Sequence, residues 1–75
     1  MHKMFASLTH EALDSLPPAD KFVTLIITPH GSFFIVDSGP DEEQLSRAAR
    51  AFDWSSHGLD LVVSREEAHE YLEGF

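Results

Sequence analysis

The chain has no cysteine, so neither a disulfide framework nor a thiolate metal site can hold it together, and cysteine usage is silent on redox compartment. Glycine is sparse. Gly31, Gly39, Gly58 and Gly74 stand singly at turns or ends, which leaves no glycine-rich phosphate loop. Positive charge is scarcer still: five Lys and Arg face thirteen Asp and Glu in 75 residues, a formal charge of −8. A negative field this dense disfavours direct binding to nucleic acid or anionic lipid, and any electrostatically chosen partner should be basic. No apolar run approaches the roughly 18 residues that span a bilayer, and Met1 to Phe5 is not followed by a signal-peptide core. A soluble, cytoplasmic protein is the expectation.

What is present is a set of strong short periodicities, which argue against disorder despite the charge. The length fits one domain, residues 1–75, with residues 1–7 read as a loose lead-in. A domain of this size buries only about 60% of its unfolded surface, so its core must be economical.

The most informative stretch is Phe22 to Asp37, two runs rich in Val, Ile, Phe and Thr around Thr28-Pro29-His30-Gly31-Ser32. It reads as a β-hairpin with a three-residue loop: Pro29 presets φ at the first central position and Gly31 supplies the left-handed residue that closes it. Pairing Thr28 with Ser32 fixes the rest, from Ile27 with Phe33 to Thr24 with Val36 and Val23 with Asp37. One face then carries Val23, Leu25, Ile27, Phe33 and Ile35; the other carries Phe22, Thr24, Ile26, Phe34 and Val36.

Before the hairpin, Thr9 is an N-cap for a short helix, Leu8 and Leu13 have the spacing of a hydrophobic staple, and Pro17-Pro18 stops the helix. After it, Pro40 to Glu43 looks like a helix start with proline in the first turn. Leu45, Ala48, Ala49 and Phe52 give that helix an apolar face, and Trp54 follows as a lid. Leu59 to Val63 is a third strand. Ser64 and Glu67 then form a capping box for a last helix whose buried stripe is Ala68, Tyr71, Leu72 and Phe75. The expectation is an α+β two-layer domain of order α-β-β-α-β-α. Its three-stranded mixed sheet, ordered 1-2-3 or 2-1-3, has its third strand running in the direction of its second and its helices packed on one face. The second face, with Phe22, Ile26, Phe34 and Val36, would then be open unless the first helix and Trp54 cover it.

Little catalytic chemistry is visible. His2, His10, His30, His57 and His69 include no pair three or four residues apart, no HExxH and no EF-hand pattern, so no metal site and no cofactor are expected. Ser32 beside His30, and Ser55-Ser56-His57 with Asp53 or Asp60, are coincidences common in loops, so no catalytic residue is assigned and a non-enzyme is expected.

The acidic residues are more informative. On the last helix Glu66, Glu70 and Glu73 fall at i, i+4 and i+7, lining one stripe with gaps of about 5 to 6 Å, and Glu67 flanks it. Asp41, Glu42 and Glu43 form a second group. Acidic residues early in a helix are favoured by its dipole and by solubility alone, but a merely soluble surface normally mixes lysines among them. These stripes therefore point to a binding module whose carboxylates occupy a groove built for phosphates on a basic, nucleic-acid-binding protein, with Trp54 or Phe34 as aromatic anchor. In size, charge and lack of motif the chain is similar to the small acidic inhibitors of phages and mobile elements, including anti-CRISPR proteins, a similarity of class that assigns no residue. The alternative is a structural or assembly protein, a homodimer or complex subunit joined through the apolar sheet face.

Overall fold

A computed structural model describes residues 6–53, 56 and 58–74. Seven elements follow one another: β1 (Ala6–Ser7), α1 (His10–Asp14), β2 (Phe22–Ile27), β3 (Phe33–Gly39), α2 (Glu42–Ala51), β4 (Leu59–Ser64) and α3 (Arg65–Glu73). The class is α+β, as expected, but the sheet has four strands in the order β1-β3-β2-β4, and every neighbouring pair is antiparallel. The expected three-stranded mixed sheet is corrected on both counts. Ala6 and Ser7, assigned to a lead-in, pair with Ile35 and Phe34. The last strand does run in the direction of β3, but it lies against β2, with which it is antiparallel, so no parallel pair forms.

Local chemistry accounts for most of the elements. The hairpin turn closes through Gly31 N–H to Thr28 O and Thr28 N–H to Ser32 O, both 2.9 Å, with Gly31 at φ +83 where a side chain would be strained. Thr9 caps α1 by accepting from Ala12 N–H, and Leu8 and Leu13 are both buried across that cap. The capping box at α3 is complete, since Ser64 Oγ accepts from Glu67 N–H and the Glu67 carboxylate accepts from Ser64 N–H. The start of α2 differs from expectation. β3 runs on to Gly39, Pro40 lies outside the helix, and the N-cap is Asp41, whose carboxylate accepts from the amides of Glu43 and Gln44. Gly58 is obligatory for a steric reason: at φ +152, a Cβ there would stand 2.3 Å from Ile27 O.

Register holds for Ile27, Ile26 and Leu25 opposite Phe33, Phe34 and Ile35, then slips. Thr24 faces Asp37 instead of Val36, and Val23 faces Ser38, so Val36 is the extra residue of a β-bulge. The bulge turns Asp37 to the side of Thr24. Both are buried. The Asp37 carboxylate accepts from Ser38 N–H at 2.9 Å, and the Ser38 hydroxyl donates to Asp20.

Helices pack on both faces of the sheet, not on one. Leu8, Leu13 and Leu16 with Ala68, Tyr71 and Leu72 bring α1 and α3 over Val23, Leu25, Phe33, Ile35, Leu61 and Val63. On the other side Ala49 of α2 meets Ile26, Val36 and the half-buried Phe34. The reading that α2 and α3 share a face, with the second face open, is therefore overturned: Ile26 and Val36 have no exposed surface. Central strand β2, buried on both sides, is apolar along nearly its whole length for that reason. Phe52, expected inside, instead follows the last turn of α2 and is 46% exposed. Among the described residues no helix is long and apolar enough to cross a membrane.

Candidate functional site

β3 and β4 both run antiparallel to β2, so both end at the same end of the sheet, and α2 and α3 begin there on opposite faces. The two acidic groups therefore sit on different faces and do not form one patch. They also differ in what their carboxylates do. At α2, Asp41 is spent on its own helix N-terminus, and Glu43 pairs with Arg47 one turn on, leaving Glu42 exposed. At α3, Glu67 is occupied by the capping box. Glu66, Glu70 and Glu73 are exposed, and none forms an ion pair among the described residues.

Those three carboxylates define a ridge. Ala68, Tyr71 and Leu72 turn α3 toward the core, which places positions 66, 70 and 73 on the outer side of a regular helix. On one flank of the ridge lies a groove of about 710 Å³ between α1 and α3, lined by Asp14, Lys21, Phe22, Arg65, Glu66 and His69 among others. On the other flank is a smaller hollow of about 310 Å³ lined by Glu67, Glu70, Tyr71 and Gly74.

Arg65 fixes the ridge against α1. Its Nη2 donates to Leu13 O at 2.7 Å, and its Nη1 donates to Pro17 O at 2.9 Å, with Leu16 O and Asp20 O at 3.5 and 3.4 Å. A single guanidinium thus adds side-chain donors to carbonyls at the end of α1 and in the Pro17-Pro18 loop, where Leu13 O and Pro17 O also accept from the amides of Leu16 and Asp20, at the negative end of that helix. The adjacent backbone joins in, Arg65 N–H donating to Lys21 O at 3.0 Å.

One constellation was invisible in the sequence. His10 on α1 and His69 on α3, 59 positions apart, meet with their Nδ1 atoms 2.6 Å from each other. The ring planes differ by 11° and the centroids are 4.8 Å apart; the ring radii account for the excess over the N–N distance, so the rings meet edge to edge. On the far side of His69, Nε2 faces Asp14 at 3.4 Å. A proton on Nε2, the ring nitrogen nearer that carboxylate, leaves Nδ1 of His69 to accept from His10. The result is an imidazole clasp between α1 and α3. Among the described residues no group of three or more His, Asp or Glu is placed to hold a metal ion.

The remaining candidates are placed as follows. Phe34, the other candidate aromatic anchor, is half-buried and packs against Ile26 and Val36 under α2. Trp54, like His2, Ser55, His57 and Phe75, lies outside the described residues. His30 and Ser32 are exposed in the hairpin turn, where Ser32 N–H donates to Thr28 Oγ1. No family model matches the chain, and no curated protein or solved structure matches it.

Proposed function

We propose that this chain is a non-enzymatic binding module that inhibits or regulates a basic, nucleic-acid-binding protein by presenting carboxylates where that partner receives phosphates. The observation that carries the reading is the ridge of Glu66, Glu70 and Glu73, exposed, in line and, among the described residues, free of ion pairs. Successive side chains on such a ridge stand about 5 to 6 Å apart, comparable with neighbouring phosphates along one strand. A carboxylate already paired within its own chain has little to offer a guanidinium; an unpaired one on a firmly held helix requires no bond to break first. Arg65 and the capping box hold α3 in place, so the ridge is preorganised. Occupancy of the partner's groove excludes nucleic acid, and the consequence is inhibition.

Asp41, Glu42 and Glu43 are secondary in this reading, because they lie across the sheet and two of the three have local partners. The homodimer alternative receives less support, since α2 packs on the sheet face it would use. The test is capture of proteins from a nuclease-treated lysate on the immobilised chain at about 0.1 M and about 0.5 M salt, which bracket weak and strong screening of exposed charge. Retention of basic nucleic-acid-binding proteins at the lower salt and their release at the higher is expected. Retention that ignores salt contradicts the charge mechanism.

A further inference from the structure

We infer that the free edge of β4 is a strand-addition site for an extended, Lys- or Arg-bearing segment, a reading that rests on the proposed function and specifies how the basic partner is gripped. The two edges of the sheet differ. Among the described residues β1 is Ala6–Ser7, after which Leu8 N–H still donates to Phe33 O before α1 begins. β4 is six residues long, pairs with β2 in unbroken register, and has no strand on its other side among the described residues. Edge strands are usually guarded by charged side chains, lysine above all, by proline, a bulge or brevity; the run Leu-Asp-Leu-Val-Val-Ser has no proline or bulge and a single charge, the anionic Asp60, which repels no cationic segment.

Packing leaves one end of that edge open. Leu59, Leu61 and Val63 share the face under α3, yet Val63 is 6% exposed and Leu59 is 66% exposed. α3 therefore closes over the last residues of β4 and leaves the first ones bare. α1 leaves β1 at the opposite edge and meets α3 on its His69 side, so the other flank of α3, with the hollow formed by Glu67, Glu70 and Tyr71, lies on the β4 side. Asp60, opposite Ile26, supplies a carboxylate on the other face of the same strand. An added strand finds the side of β4 that no described strand pairs with for its own main chain, Leu59 and Leu61 for apolar side chains, and Glu70 and Asp60 for cationic ones. A second copy of this chain is the wrong occupant, because it would bring −8 against −8.

The test uses the whole ¹⁵N-labelled chain and two peptides, acetyl-Lys-Val-Lys-Val-Lys-Val-amide and its fully N-methylated counterpart, which keeps the charge and lacks the amide donors. Saturable binding of the first, slowed amide exchange within Leu59–Ser64, and at least tenfold weaker binding of the second are expected. Equal affinity for both peptides, with perturbations confined to Glu66 and Glu73, overturns strand addition and leaves the charge reading standing. If a variant carrying Glu66→Lys and Glu73→Lys binds the first peptide unchanged and still protects β4, the ridge reading loses its support and the edge site remains. No binding of the first peptide, or protection of β4 by self-association without it, overturns the inference.

Discussion

Helices α2 and α3 start at the same end of the sheet, each opening on carboxylates, and they use those carboxylates in opposite ways. In α2 the acidic residues are structural: Asp41 caps the helix and Glu43 is paired with Arg47. In α3 Glu67 is so employed, while Glu66, Glu70 and Glu73 face solvent and form no ion pair among the described residues. The lesson is that a run of acidic residues is not in itself a surface charge available to a partner. What matters is how many carboxylates remain after caps and i,i+4 pairs have been satisfied.

The contrast can be broken most forcefully by charge reversal. Glu66→Lys, Glu70→Lys and Glu73→Lys together should weaken partner binding roughly a hundredfold, about 1 kcal/mol for each reversed exposed charge, with the fold retained. Circular dichroism and retention on the captured partner read the two effects separately; Asp41→Lys with Glu43→Lys should show the reverse, lost stability and nearly unchanged binding. Next in size is Arg65→Ala, which removes the guanidinium donors that tie α3 to the end of α1 and should cost about 2 kcal/mol in chemical denaturation, with Arg65→Lys recovering only part of it. Smaller is Asp41→Ala, expected to cost about 1 kcal/mol through the lost cap while leaving the ridge untouched. Smallest is Arg47→Ala: it should change stability by no more than about 0.5 kcal/mol, but it frees Glu43 and so tests whether an unpaired carboxylate at α2 adds to binding.

Legibility in the sequence followed the range of the interaction concerned. The hairpin turn at Pro29 and Gly31, the Thr9 cap with its Leu8 and Leu13 staple, and the Ser64 and Glu67 box each involve residues within five positions, and local chemistry identifies them. The bulge at Val36 has no such signature, because an inserted residue among apolar neighbours leaves both faces apolar. The same ambiguity misassigned the helices to faces: with Leu25 on one side of β2 and Ile26 on the other, periodicity shows that each face is buried but not under which helix. Ala6 and Ser7 are too few to show any alternation, so nothing in their pattern distinguishes β1 from a lead-in. At the site, the spacing of Glu66, Glu70 and Glu73 was readable from helical period alone. The hold of Arg65 on Leu13 and Pro17, and the meeting of His10 with His69, join segments about 50 or more positions apart and left no local trace.

The most direct measurement of charge mimicry is competition. Proteins retained on the immobilised chain at low salt would be challenged with increasing double-stranded DNA and, separately, with RNA, each compared with an uncharged polymer. If the ridge occupies a phosphate groove, one nucleic acid displaces the retained protein at concentrations that saturate that protein's own binding, and the uncharged polymer does not. If the protein remains bound to the chain and to nucleic acid together, the two sites are distinct and the ridge does not stand in for phosphates.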